Sequence, residues 1–102
     1  MKATLEELLA KILTRPQIHS KLYTTTRQIN AGAPLGFYVN KSDLGLPSGA
    51  TIVGLIVEQT QANGYVVGNA FDIDANRIYV GLFNHYTQAL NATVGIRVLY
   101  EI

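Results

Sequence analysis

The stretch Phe71-Asp-Ile-Asp-Ala-Asn-Arg-Ile-Tyr-Val80 decides the fold, because apolar residues alternate with other residues on both sides of a short polar segment. The alternating apolar residues are Phe71, Ile73, Ile78 and Val80. Such alternation predicts two β-strands joined by a short turn. Residues 74–77 suit that turn, since Asp and Asn side chains bond their own backbone and tolerate left-handed φ angles.

The same stretch contains the spacing Asp72-x-Asp74-x-Asn76, which also occurs in calcium loops of the helix-loop-helix type. Such a loop needs Gly at its sixth position for a sharp bend and a bidentate Glu at its twelfth. Arg77 and Phe83 occupy those positions here. We therefore predict a turn and no metal site.

Most of the chain has the texture of a β domain. From Ile18 onward, β-branched and aromatic residues are frequent, and Gly, Asn, Asp and Pro separate short runs. The predicted strands cover residues 21–29, 36–39, 51–59, 65–73, 77–84 and 93–102. We expect a mainly β fold, an antiparallel and jelly-roll-like β-sandwich in residues 17–102, preceded by a short amphipathic helix in residues 1–16.

Three features predict how the strands are placed. The run 51–58 is apolar on both faces, which predicts a central strand covered by a second sheet on one side and by something else, such as a neighbouring subunit, on the other. The pair Asn63-Gly64 favours a tight hairpin that makes strands 51–59 and 65–73 antiparallel neighbours. The threonine-rich segment 22–29 is typical of an edge strand with one wet face.

The amino-terminal segment carries a helical period between residues 3 and 14. Its apolar stripe consists of Leu5, Leu8, Leu9, Ile12 and Leu13. Thr4 and Glu7 have the spacing of a capping box, and Pro16 ends the helix. A helix of about three turns is marginal in water, so the stripe must be buried either on its own domain or against copies of itself. In the second case Leu5, Leu8, Leu9 and Ile12 form an oligomer interface.

Composition limits the classes of partner that we expect for this chain. The net charge is +1 with no Lys/Arg tract, so we do not expect nucleic-acid binding. Hydrophobic residues make up 48% of the chain and charged residues 15%, below the roughly 25% of ordinary soluble domains, which favours a homo-oligomer. The longest apolar run is far shorter than the roughly 20 residues that span a bilayer, and we expect neither membrane insertion nor a signal peptide.

The sequence contains no recognisable catalytic motif. G-x-S-x-G, H-E-x-x-H and a P-loop ending are all missing, and the chain has two histidines and no cysteine. We therefore predict no catalytic residues, no metal and no cofactor, so the chain is not expected to be an enzyme.

The segment Phe83-Asn-His-Tyr-Thr-Gln-Ala-Leu-Asn91 concentrates amide, imidazole and aromatic groups between two strands. Directional hydrogen bonds and flat amphipathic rings suit a recognition loop. The candidate ligand-binding residues are Asn84, His85, Tyr86 and Gln88. The alternative is an ordinary polar connection in which Tyr86 packs on the core and Asn84 caps the strand end.

Several stretches together resemble the small β-sandwich modules of tailed-bacteriophage virions, found in tail or head fibres, baseplates and receptor-binding tips. They are the leucine-rich helix, the Gly/Pro-rich passage and the segments 50–57, 64–70, 77–80 and 96–100. The resemblance implies a homotrimer that contacts other virion proteins, is assembled in the bacterial cytoplasm and presents loops to a host-surface glycan or protein. It also implies that the amino-terminal helix takes part in trimerisation.

Three classes of function remain open at this point: an oligomeric virion structural or adhesion module, a monomeric carbohydrate- or peptide-binding module, and an enzyme. The first needs an assembly whose mass is stable on dilution. The second needs the helix to fold back on its own domain. The third needs a pocket that joins a histidine with a carboxylate or hydroxyl group.

Leu8→Glu separates the first two classes. In an oligomer held through the apolar stripe, the new charge should release folded monomers or smaller assemblies. In a docked monomer it should lower the melting temperature without changing the mass, because burying an unpaired carboxylate costs several kcal/mol. Light scattering together with thermal unfolding distinguishes the two outcomes, and a variant that alters neither would contradict both.

Overall fold

The structure is a computed structural model that describes residues 4–7, 17–61 and 64–102, with backbone alone described for 59–61. The described residues form six strands: β1 (Ile18–Ile29), β2 (Pro34–Asn40), β3 (Thr51–Gln61), β4 (Val66–Asp72), β5 (Arg77–Asn84) and β6 (Leu90–Glu101). A 3-10 helix, Lys41–Leu44, follows β2. Each predicted strand corresponds to one of these, and the prediction for residues 77–84 matches β5 at both ends.

The strands form two three-stranded antiparallel sheets. Sheet A has the order β1-β6-β3 and sheet B the order β2-β5-β4, so the last two strands of the chain are the central ones. The mainly β, antiparallel prediction is confirmed. Because β1 has one hydrogen-bonded neighbour among the described strands, the expectation that it is an edge strand is confirmed as well.

One hydrophobic core lies between the sheets. Every second residue of β5 from Ile78 to Asn84, and of β6 from Ala92 to Val98, is buried there. The buried apolar residues are Ile29, Val39, Leu44, Val66, Ile78, Val80, Leu82, Ala92, Val94, Ile96 and Val98. Removing one large aliphatic side chain of this kind from water contributes about 1.5–3 kcal/mol, so the two central strands supply much of the stability.

The placement predicted for β3 and β4 is wrong. β3 is an edge strand that pairs with β6 in sheet A, whereas β4 pairs with β5 in sheet B. The connection that contains Gly64 therefore links sheet A to sheet B and does not join two paired strands. The physical reason is that β3 buries its inward side chains, Ile52, Leu55 and Val57, by lying beside the long strand β6. Local turn propensity cannot outweigh that burial.

The outer faces of both sheets carry apolar side chains. On sheet A, Val53 and Ile56 of β3 are about half exposed, so nothing described in the chain covers the second face of the run 51–58. On sheet B, Tyr38, Val67 and Phe71 are each slightly more than half exposed. The prediction that a further surface covers β3 stays a prediction.

The amino-terminal helix is described only in part. Residues 5–7 are helical, and the main-chain N–H of Glu7 donates to the Thr4 hydroxyl oxygen at 3.2 Å, which is one half of the expected capping box. The rest of the predicted helix, including Leu8, Leu9 and Ile12, lies outside the described residues. Within the described residues, no helix has the length and hydrophobicity that crossing a bilayer requires.

The predicted turn forms, and it lies one residue earlier than expected, at residues 73–76 between β4 and β5. One carboxylate oxygen of Asp74 accepts hydrogen bonds from the main-chain N–H groups of Asn76 (2.8 Å) and Arg77 (2.7 Å), and the other accepts two bonds from the Arg77 guanidinium at 3.2 Å. The N–H of Asn76 is the largest cause that lowers the pKa of Asp74, opposed by desolvation and assisted by both contacts with Arg77. Among the described residues, no group of three or more acidic, histidine or cysteine side chains could hold a metal ion.

Asp74→Ala should destabilise the fold in a pH-dependent way. Folding lowers this pKa, so the carboxylate stabilises the protein above its unfolded-state pKa of about 3.9 and loses that effect as the pH falls through the folded-state value. The difference in melting temperature between the native chain and Asp74→Ala should therefore narrow as the pH falls below about 4. Thermal unfolding followed by circular dichroism measures it.

Asp74→Asn is the matched control, because it keeps an oxygen acceptor for the turn and removes only the charge. It should cost less stability than Asp74→Ala at neutral pH. A difference between the native chain and Asp74→Ala that does not change with pH would contradict this account.

Candidate functional site

Three connections meet at one end of the molecule. They are residues 30–33 between β1 and β2, residues 64–65 before β4, and residues 85–89 between β5 and β6. The N–H of Gly32 donates to the carbonyl oxygen of Tyr86 at 3.1 Å, and the N–H of His85 donates to the carbonyl oxygen of Tyr65 at 2.8 Å. These bonds hold the segment predicted for recognition against both neighbouring connections. We call residues 30–33, 64–65 and 85–89 the loop end.

Asn84 organises the loop end from inside the protein. Its side chain is fully buried, with 0% of the residue exposed. The amide nitrogen donates to the carbonyl oxygens of Ile29 (3.1 Å), Asn30 (3.2 Å) and Gln88 (2.9 Å), and the amide oxygen accepts from the N–H of Tyr86 at 2.8 Å. A carboxylate or an aliphatic side chain of similar size could not both donate and accept in this way.

Aromatic rings cover the exposed side of the loop end. The rings of Tyr65 and Tyr86 stack with centroids 4.3 Å apart and a tilt of 30°. The rings of Phe83 and His85 lie 4.6 Å apart at 51°. Tyr65 and His85 are exposed, whereas Tyr86 is half-buried. The rings of Tyr65 and His85 are therefore accessible at this end.

The four predicted ligand-binding residues therefore have different positions. Asn84 is buried and its amide is occupied, so it can position the loop but cannot reach a ligand. Tyr86 packs against Tyr65, in agreement with the alternative of an ordinary connection. The side chains of His85 and Gln88 are exposed. Ligand binding by the exposed residues stays a prediction.

Sequence reasoning missed Tyr65 at this end. It was assigned to a strand, whereas it precedes β4 and lies beside Tyr86. The available signal was its position directly after Asn63-Gly64, since a residue that follows a turn often lies at the surface. Its partner could not be recognised, because Tyr86 is 21 positions away and the two meet only through the fold.

The two histidines lie at opposite ends of the molecule. His85 belongs to the loop end, and His19 pairs with Tyr100 near the start of β1, where the two rings stack with centroids 5.5 Å apart. They cannot contribute to one site. Of the predicted oligomer interface, Leu5 is described and is 72% exposed, and Leu8, Leu9 and Ile12 lie outside the described residues.

The outer faces are a second candidate surface. On sheet B, the Arg77 guanidinium lies 4.2 Å from the centre of the Tyr38 ring, and Tyr38 contacts Tyr79 edge to face at 5.4 Å. On sheet A, the Arg97 guanidinium binds both carboxylate oxygens of Glu58 at 3.0 and 3.2 Å. This hydrogen bonding lowers the pKa of Glu58 and raises that of Arg97. Both faces thus combine apolar area with an arginine whose charge is already partnered.

Asn84→Ala should destabilise the protein by about 3 kcal/mol, because it leaves three carbonyl groups and one N–H at the loop end without their partner. Urea unfolding measures the change. Asn91→Ala is the matched control, since Asn91 is exposed on the outer face of β6, and we expect a change within about 0.5 kcal/mol. Equal effects of the two substitutions would contradict the structural role of Asn84.

No protein-family model matches this chain, and neither a curated protein nor a solved structure matches it.

Proposed function

We propose that the chain is a non-enzymatic structural and adhesion module of a virus particle, which assembles with copies of itself and presents its loop end for recognition of a host surface. The observation that carries the proposal is the apolar area on the outer faces of both sheets. The resemblance to modules of tailed-bacteriophage virions supports a place in a virus particle. It also favours a homotrimer that contacts other virion proteins.

The exposed apolar side chains support self-association. Val67 and Phe71 on sheet B are 52% and 53% exposed, and Ile56 on sheet A is 50% exposed. Contiguous exposed apolar patches are uncommon on monomeric soluble proteins and typical of interfaces. Other copies of the chain are the simplest partner, because they are present wherever the chain is made.

The topology supports a jelly-roll-like β-sandwich. β1 pairs with β6, and β2 pairs with β5, so the first strand lies beside the last and the second beside the one before it. This nesting is the pattern obtained when a long antiparallel ribbon is wound into two packed sheets. The shared core between sheets A and B agrees with that description.

The two ends of the molecule support separate roles for attachment and presentation. β1 begins at Ile18, opposite Glu101, and ends at Ile29, opposite Leu90. The amino-terminal segment therefore joins the domain at the end away from the loop end. In a particle, attachment through that segment would leave the loop end facing outward.

A monomeric carbohydrate- or peptide-binding module is the second candidate, and the fixed loop end favours it. Asn84 and the main-chain bonds hold the loops in one arrangement, which reduces the entropy lost when a ligand binds. A glycan array on which the native chain binds nothing would remove carbohydrate binding. If a glycan does bind, unchanged capture by His85→Ala and by Tyr86→Ala would remove the loop end as its site.

Light scattering of the purified chain tests the leading proposal. We expect an oligomer whose mass does not change on dilution to micromolar concentration, because apolar interfaces of structural assemblies are stable in that range. Native mass measurement gives the number of copies. A monomer at these concentrations would overturn the proposed assembly.

A further inference from the structure

The outer face of sheet B is crossed by rows of residues, each row taking one residue from β2, one from β5 and one from β4. Two of the rows consist of apolar or aromatic residues, namely Tyr38, Tyr79 and Phe71 in one and Pro34, Phe83 and Val67 in the other. The row between them is Gly36, Gly81 and Asn69. Large side chains therefore flank a row with two glycines, and the face is depressed along that row.

The part of this depression beside Gly81 is a hollow of about 380 Å³. The outward-facing residues that line it are Pro34, Val67, Asn69, Gly81 and Phe83, and none of its lining residues is charged. Its volume lies within the range of roughly 300–1,000 Å³ that is typical of small-molecule sites. The ring of Phe83 stacks with that of His85, so the hollow adjoins the loop end. We call it the sheet B hollow.

Gly81 opens the sheet B hollow, and no contact in the described part of the chain requires glycine there. Its φ angle is not positive, and its pairing with Gly36 and Asn69 contains no register shift. A Cβ atom at Gly81 would lie 3.6 Å from Cε1 of Tyr79, an ordinary contact, with no other described neighbour within 4 Å. At Gly36, by contrast, a Cβ atom would collide with the Tyr79 hydroxyl.

The absence of a side chain at Gly81 therefore needs a reason outside the chain. Glycine in the interior of a strand is less stable than alanine, because it loses more conformational freedom on folding. Where it occurs there, it often marks a place that a ligand or another backbone approaches closely. The position of Gly81 in the floor of a hollow agrees with the approach of a ligand.

Asn69 supplies polar groups at the sheet B hollow. It is exposed, and its side-chain amide makes no hydrogen bond within the described part of the chain. Asn84 differs in this respect, because its buried amide is fully occupied by the loop end. The side-chain amide of Asn69 has two N–H donors and one oxygen acceptor, all of which a ligand in the hollow can use.

The lining of the sheet B hollow suits a neutral saccharide. A pyranose ring has apolar C–H faces and a rim of hydroxyl groups that donate and accept hydrogen bonds. Phe83 and Val67 offer apolar area to such a face, and the Asn69 amide matches the hydroxyl groups. A charged ligand would find no opposite charge in the lining. A purely apolar ligand would cover the Asn69 amide without giving it a partner.

We propose that the sheet B hollow binds a neutral saccharide, whose ring packs against Phe83 and Val67 and whose hydroxyl groups bond to the Asn69 amide. The inference rests on the host-surface recognition proposed above, and it assigns that recognition to a hollow beside the loop end. The outer face of sheet A remains for self-association.

Gly81→Ala tests the site while keeping the fold. The added methyl group contacts only Tyr79, so the melting temperature should stay the same or rise. Affinity for the saccharide should fall about fivefold or more, because the methyl group occupies space that the ligand needs. An array of neutral oligosaccharides identifies a glycan that the native chain binds, and calorimetric titration with that glycan measures the affinity.

Asn69→Ala tests the polar contacts. It should weaken binding of the same glycan about fivefold to tenfold, because it removes hydrogen bonds to the hydroxyl groups. Asn91→Ala is the matched control, since Asn91 is exposed on the outer face of sheet A, and it should bind like the native chain. In nuclear magnetic resonance spectra of the labelled native chain, the glycan should shift the signals of the Gly81 N–H and the Asn69 side-chain amide.

The outcomes separate this inference from the proposed assembly. Weaker binding by folded Gly81→Ala and Asn69→Ala, with Asn91→Ala unchanged, is the supporting result. An array without binding to the native chain would overturn the saccharide site, and so would binding that either substitution leaves unchanged. A changed oligomeric mass of Gly81→Ala without glycan binding would assign the hollow to a second copy and overturn the inference. The mass of the native chain on dilution tests the assembly independently.

Discussion

The buried amide of Asn84 is the interaction on which the loop end depends. Asn84 ends β5, the central strand of sheet B, just before the chain crosses to β6, the central strand of sheet A. That crossing exposes backbone groups of three segments at once, and a buried group left without a partner costs about 1–3 kcal/mol. One side chain that both donates and accepts satisfies four of these groups. The core and the loops are therefore stabilised together.

The outer faces show a second constraint. Charged residues make up 15% of the chain, and several of the exposed side chains opposite the core are apolar or aromatic. The arginines on these faces are partnered, Arg97 by Glu58 and Arg77 by Asp74 and the Tyr38 ring. Covering the apolar part of these faces with another copy would be favourable, which connects composition with the proposed assembly.

The sequence by itself determined the strands, their inward faces and the turn at Asp74, because residue alternation and turn chemistry act over a few neighbouring positions. Only the tertiary structure decided which strands are neighbours, and so β3 lies beside β6 although Asn63-Gly64 favours a hairpin. The tertiary structure also buried the side chain of Asn84 and placed the ring of Tyr65 against that of Tyr86. The reason is that strand pairing and burial depend on groups that are far apart in the chain and are brought together when both sheets pack on one core. Residue periodicity identifies which face of a strand is buried, but it does not determine which strand lies beside it.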